Sequence, residues 1–399
     1  MNTSITQADR TALQQMLQVE PVLTGISQAQ STLNLKEKEL LHAGPPIVDK
    51  QAMAKPILHS AMAAVLFERW ADTPEEAQQL VLSDQITLTP AQNYGVAVPL
   101  ADVLSPNMFI LHVQDKQNSN LIAYSSINGG DGPVTRVGMF NQDVVDRLHY
   151  IYGPIATTIT SLLENSQPEL LPISEKAILK GDDLHGRTAN ASALLFDALV
   201  ENYNQESPEL LFIQNSAAFF LNVWMAASLC TLLAGAGVKN SSAIIRMGSN
   251  GVEFGIQIAA LPGVWFTAPA QAPFIPDATT ELRARALGAM GDRAVVDALG
   301  YGAMLNQYAP ETAKRLRSAA EQSQQSLPTG LLSEPHTAYP HLPDFRTGLT
   351  ARQVIQQKTT PVVSLGVLDS QGEKGRLDGG FFFAPLSPFQ AALEALVEV

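Results

Sequence analysis

The chain has 399 residues, 46% hydrophobic and only 16% charged, too many for one growing core, so about two or three domains are expected. With 38 acidic against 25 basic residues and a formal charge of -13, most of its surface repels nucleic-acid phosphates and no basic stripe offsets that, which excludes nucleic acid as a partner. The single cysteine, Cys230, excludes an intrachain disulfide, and the weakly charged surface favours burial against partner subunits, hence a homo- or hetero-oligomer.

The N-terminus, MNTSITQADRTALQQMLQ, lacks a basic leader and an apolar core, so a cytoplasmic location is expected. Residues 5 to 34 carry helical spacing, both in LQQML and in PVLTGISQAQSTL. KEKELLHAGPP then reads as a short apolar strand running into a stiff turn at His42, Gly44, Pro45 and Pro46. That turn either presents His42 or backbone amides to a ligand or is a plain strand-to-helix corner. MAKPILHSAMAAVLFERWA is helical, and Thr73, Pro74 and Glu76 have the spacing of a capping box opening the next helix.

From about Ile86 the pattern turns to short strands, ITLTPAQNY, GVAVPLADVLSP, NMFILHVQD and SNLIAYSSI. They lead into NGGDGPVTRVG, where Gly129, Gly130 and Gly132 could bring backbone amides to an anion and Arg136 could add a bidentate contact. The glycine spacing matches neither a P-loop nor a dinucleotide fingerprint, and a surface hairpin fits it as well. Asp143 to Leu163 is helical with a break at Gly153-Pro154, and the polar ENSQPELLPISEKAILKG reads as a connection.

GDDLHGRTANASALL, 181 to 195, has the densest chemistry. If Asp182 or Asp183 caps a helix beginning near Leu184, then Asp183, Arg187 and Asn190 share one face and His185 a neighbouring one. Asp182 or Asp183 could orient His185 as a base or donor, while Arg187 holds a carboxylate or phosphate. An Asp cap, an Asp183–Arg187 ion pair and a surface histidine that merely stabilise the first turns account for the same residues.

SPELLFIQNSAAFFLNVWMAASLCTLLAGAG follows as one or two buried helices, near the length of a membrane span but interrupted by polar residues and without basic flanks. No membrane contact is expected. SAIIRMGSNG, VEFGIQIAAL and GVWFTAPAQAP form a second set of strands, and Asp292 is read as an N-cap or a ligand contact. Residues 304 to 360 read as mostly helical around a loop, SLPTGLLSEPHTAYPHLPDFRTG, and TPVVSLGVLD as a last strand before the glycine-rich QGEKGRLDGG, FFFAPL and a C-terminal helix. His336 and His341 lack the neighbours of a metal site, so neither a metal nor a cofactor is expected.

The fold class expected is α+β, multidomain, with a substantial helical portion. The boundaries read from the chain are a mainly helical region at 1–85, a first mixed domain at 86–180, a helical core with the candidate site at 181–240, and a second mixed domain with the C-terminal helix at 241–399.

Four fragments in order, LLHAGPP at 40 to 46, NGGDGPVTRVG at 128 to 138, GDDLHGRTANASALL and WFTAPAQAP at 265 to 273, resemble the YlbE-like proteins, a bacterial family long catalogued as a domain of unknown function. The resemblance covers nearly the whole chain and implies a helical portion joined to unusual mixed α/β domains. It further implies a subunit of oxamate carbamoyltransferase in anaerobic allantoin breakdown, acting beside an FdrA-like partner and a smaller companion. That reaction interconverts oxalurate and phosphate with oxamate and carbamoyl phosphate. The family pattern is carried here by His42 with Gly44-Pro45-Pro46, by Gly129 with Arg136, and by Asp182-Asp183-His185-Arg187-Asn190. It is departed from at Gly291-Asp292-Arg293 with Asp297 and at Ser364-Leu365-Gly366 with Asp369.

Carbamoyl transfer calls for anion binding and stabilisation of developing oxygen charge more than for redox chemistry. In that reading Arg136 and the amides of Gly129 and Gly130 bind phosphate, Arg187 and Asn190 hold the small carboxylate, and His185 moves a proton at nitrogen. A non-catalytic scaffold or regulatory subunit, or a diverged small-anion-binding protein, is the alternative.

Overall fold

The computed structural model describes residues 6–305 and 307–397. The long apolar run divides at Ser216–Ala218 into helices Pro208–Asn215 and Phe219–Ala234, bent by 68° to one another. Nearly every residue of the second helix is buried, including Cys230. A helix apolar all round must be covered on all sides. Strands Phe109–Asp115 and Ile122–Ser126 pack against it, as do helix Ala294–Ala298 and strand Ile244–Asn250. Among the described residues no single helix is long and apolar enough to cross a membrane.

Around this helix the strands form two main sheets. In one, Pro21–Gln28, Phe109–Asp115, Ile122–Ser126 and Val96–Ala97 lie side by side. In the other the order is Phe266–Pro269, Glu253–Ile258, Ile244–Asn250, Met290–Gly291. A three-stranded sheet centred on Glu39–His42 pairs parallel with Thr87–Pro90 and antiparallel with Val103–Leu104. Two smaller antiparallel pairs join Val362–Leu368 to Arg376–Phe383 and Leu332–Pro335 to Arg346–Leu349. The α+β class with a substantial helical portion is therefore observed.

Local signals that close within a few residues match the structure. Thr73 and Glu76 form a reciprocal capping box on helix Pro74–Leu82, and Gly153-Pro154 falls in a wide π-helical turn joining Gln142–Tyr150 to Ala156–Asn165. Five readings are corrected. PVLTGISQ is a strand, because its backbone pairs with Phe109–Asp115 along its whole length and long-range pairing overrides helical spacing. Leu170–Leu179 is a helix with Leu170, Ile173, Ala177 and Ile178 inward; its Pro172 sits in the first turn, where a missing N–H costs nothing. The loop at 326–348 contributes a short strand pair, and RLDGGFFF continues as a strand opposite Val362–Leu368. The helix after the Asp182-Asp183 pair begins at Ala189 and not near Leu184.

Candidate functional site

Residues 182–188 form a tight loop held by its own carboxylates. Asp183 Oδ1 accepts from the backbone N–H of His185 at 2.8 Å and of Arg187 at 2.9 Å, while Leu184 takes a left-handed conformation, φ 63°. Thr312 donates its hydroxyl to Asp183 Oδ2, and Gly302 N donates to Asp183 O. Asp182 Oδ2 accepts from Ala191 N at 2.8 Å, and its Oδ1 from Asn190 Nδ2 at 2.9 Å. These bonds satisfy amides at the start of helix Ala189–Val200 from outside it, which explains the delayed onset. Both aspartates thus spend their oxygens on the loop and the helix. Arg187 forms no ion pair with Asp183 through its side chain and is exposed.

The loop turns His185 inward. Its Nδ1–H donates to Asp297 Oδ2, and the buried Nε2 has no protein partner. Asp297 Oδ1 also accepts from Ala303 N at 3.0 Å and from Ser364 N at 3.2 Å. Burial pushes the Asp297 carboxyl above the usual carboxylate range, and His185 and the two amides oppose that rise. Gly302, at φ 60°, is required there, since a Cβ would stand 2.4 Å from Asp297 Oδ1. With the proton held on Nδ1 by the carboxylate, a neutral ring offers its lone pair at Nε2.

His185 opens onto a cleft of about 590 Å³ lined by five arginines, Arg136, Arg187, Arg293, Arg315 and Arg376. Arg136 donates from Nη2 to Gly130 O at 2.8 Å, and Arg315 from Nη2 to Gly379 O at 3.0 Å. Burial lowers the Arg293 guanidinium well below its usual range, and the charges of Arg136 and Arg376 push the same way. Burial is also the largest influence lowering Arg136, with Asp131 opposing it. Three helices, Ala189–Val200, Phe219–Ala234 and Pro310–Ser323, begin at the cleft wall without a side-chain cap from their own N-cap residues. Their positive ends add to the arginine field. The arrangement suits a small polyanion beside an imidazole that can take or give a proton.

Of the residues singled out from the sequence, Arg136, Asp182, Asp183, His185, Arg187 and Asn190 line this one cleft. His42, Gly129 and Gly130 do not. His42 ends a buried strand; its Nδ1–H donates to Ala43 O at 2.8 Å, and burial pushes its pKa down to about 4. Gly129 borders a small void behind Arg136. Gly130 N donates to Asn128 Oδ1 at 2.9 Å, and Asn128 Nδ2 donates to Asn222 Oδ1 at 3.0 Å on the central helix. The glycine loop is therefore anchored to that helix and holds Arg136 through its carbonyl. Asp292 is neither N-cap nor cleft residue; it accepts from Gly44 N, Val98 N and Gln92 Nε2 in the core.

Arg293, Arg315, Arg376, Asp297 and Ser364 complete the site and were not singled out as site residues from the sequence. Arg293, Asp297 and Ser364 stood out only as positions that depart from the family pattern, and Arg376 only through the glycine density of QGEKGRLDGG, which reports close approach without saying of what.

A family model described as oxamate carbamoyltransferase subunit AllG matches residues 86–293. The chain is 29% identical over 417 residues to the oxamate carbamoyltransferase subunit AllG of Escherichia coli K12, covering 100% of this chain and 99% of that one. It is 27% identical to the uncharacterized protein YahG of the same organism, covering 98% of this chain and 85% of the relative. A crystal structure of a conserved protein of unknown function from Enterococcus faecalis V583 superposes with a TM-score of 0.86 at 28% identity, covering 98% of this chain and 97% of the other. In agreement with the four ordered motifs, the chain belongs to the oxamate carbamoyltransferase subunit AllG family.

Proposed function

We propose that this protein is a component of a cytoplasmic carbamoyltransferase that interconverts oxalurate plus phosphate with oxamate plus carbamoyl phosphate, working beside an FdrA-like protein and a small companion subunit. The observation that carries the reading is the convergence in one cleft of five arginines with His185, whose Nε2 is buried and unpartnered. Each substrate of that reaction is an anion, and the curated relative is itself named as a subunit.

In this reading a phosphate oxygen adds to the terminal ureido carbonyl of oxalurate, and the bond from that carbon to the oxamate nitrogen breaks. The phosphate loses a proton and the departing nitrogen gains one. His185 Nε2 accepts the first and returns it to the nitrogen, and Asp297 holds the ring and stabilises its charged form. The arginines neutralise charge that builds on the carbonyl and phosphate oxygens. Asp182 and Asp183 act by positioning, through the loop and the helix start. Arg187 at the rim takes the oxamate carboxylate, with Asn190 beside it.

The test is carbamoyl phosphate formation from oxalurate and phosphate by the chain assembled with its partner subunits. His185→Ala should lower turnover by about 10²–10⁴-fold with the fold retained. Asp297→Asn should lower turnover and displace its acid limb, leaving the Michaelis constants nearly unchanged. Undiminished turnover in His185→Ala would move the chemistry to another subunit and leave this chain a scaffold.

A further inference from the structure

The cleft contains more buried positive charge than its own carboxylates neutralise. Arg293 is only 6% exposed, and its Nε has no hydrogen-bond partner. The side chain of Arg136 is 12% exposed, and its Nε is likewise buried and unpartnered. Among the described residues neither Arg293 nor Arg376 belongs to an ion pair. Two carboxylates bear on Arg136: Asp131, at 3.9 Å and 97% exposed, where water screens it, and the buried Asp102, which accepts from Ser126 and Thr135 and forms no ion pair with Arg136. Asp182 and Asp183, which also line the cleft, accept from Ala191 N, Asn190, His185 N, Arg187 N and Thr312. Uncompensated buried charge is costly, and guanidiniums kept so close together normally answer to an anion.

The strand pair beneath them is shaped to hold this cluster. Arg376 donates from Nε to Asp378 O at 3.1 Å. Gly366 and Gly379 face each other in register across the two strands. A Cβ on Gly366 would come 3.2 Å from Arg376 Nε, and one on Gly379 would come 3.2 Å from Arg376 Nη2. Two glycines at paired positions thus leave room for one guanidinium to lie close to the sheet. Arg136 is fixed by Gly130 O, and Arg293 by burial at the start of helix Ala294–Ala298. Arg187, Arg315 and Arg376 are all exposed, but of these only Arg376 bears by its charge on both Arg136 and Arg293.

We infer that Arg136, Arg293 and Arg376 form an inner subsite for a tetrahedral phosphate-type dianion, distinct from a carboxylate-binding rim at Arg187 and Arg315. The subsite deepens the carbamoyl-transfer reading and rests on it for its role in turnover, but binding of the dianion can be measured alone. A monocarboxylate would neutralise one of the three inner charges, whereas a phosphate oxygen set accepts from several forks at once. In the absence of an anion the three charges repel, so the subsite lowers the stability of the fold until it is filled.

The experiment titrates inorganic phosphate into the full chain by calorimetry and follows thermal unfolding in phosphate-free and phosphate-containing buffer. Phosphate should raise the wild-type midpoint. Arg293→Gln and Arg376→Gln should each weaken phosphate binding about tenfold or more, as expected for loss of a charge-assisted contact. In phosphate-free buffer Arg293→Gln should melt at or above the wild-type temperature, which loss of a structural contact would not produce. Arg293→Lys, which keeps the charge without the fork, serves if the glutamine variant does not fold, and should also bind phosphate more weakly. Arg187→Gln should weaken oxamate binding while phosphate affinity is retained. No phosphate binding by wild type, or equal binding by wild type and both inner variants, overturns the subsite even if carbamoyl phosphate is made. Phosphate binding that depends on the inner arginines, in an assembly that makes no carbamoyl phosphate, upholds the subsite and overturns the reaction assigned above.

Discussion

His185 and His42 are both buried, but their surroundings give the two rings different uses. At His185, a residue of the cleft wall, a carboxylate holds one nitrogen and the other is left without a partner, which suits the ring to proton transfer. At His42 a backbone carbonyl takes the Nδ1 proton, and the ring is enclosed away from the cleft. Its folded pKa of about 4 lies below the ordinary value of 6.5. Between those values the unfolded chain binds more protons, so this residue removes stability as pH falls. Wild type should therefore lose stability relative to His42→Gln on going from about pH 6.5 to pH 4, by on the order of 3 kcal/mol. Denaturation midpoints of the two proteins that keep a constant separation over that range would exclude this account. The sequence brought His185, Arg187 and Arg136 into consideration because charged residues beside glycines and helix starts are rare enough to be noticed. It gave no reason to join Asp297 to His185 across more than a hundred positions, since no local pattern encodes a contact of that range.

Among the elements, helix Ala189–Val200 shows how a motif can be recognised and its geometry misread. Asp182 and Asp183 do serve a helix start, as the capping alternative requires, but they do so across a loop. Asp183 closes the turn around Leu184, and Asp182 reaches Ala191, nine residues on. A conventional cap lies within three residues of the amide it satisfies. That is why Thr73 and Glu76 were legible and this arrangement was not. Asp182→Ala should cost about 1–2 kcal/mol in chemical denaturation, and the amides of Asn190 and Ala191 should exchange faster with solvent. Unchanged exchange there would show that the helix start is held by other contacts. The strand Pro21–Gln28 illustrates the converse limit: its apolar spacing is compatible with a helix, and the choice is made by the edge of Phe109–Asp115 that receives it.

For the molecule as a whole, the central helix Phe219–Ala234 connects stability to the site. It lies between the sheets, its Asn222 anchors the loop that holds Arg136, and its first turn forms part of the cleft wall. Cys230 is enclosed on it, with burial pushing its thiol up to about 12. Labelling of this single thiol should therefore be slow in the native protein and should follow global unfolding as denaturant is added. Rapid labelling without denaturant would mean that the helix opens locally. The sequence by itself determined the α+β class, the succession of most elements, the short-range caps and breaks, and a set of polar residues of which most line one cleft. Each of these depends on interactions within a few positions or on the alternation of apolar side chains, which the order of residues records directly. Only the tertiary structure decided that Asp297 orients His185, that His42 and the glycine amides stand apart from the cleft, and that Arg293 and Arg376 join Arg136. Those relations depend on which distant segments share a wall, and that is set by packing around the central helix and by strand register.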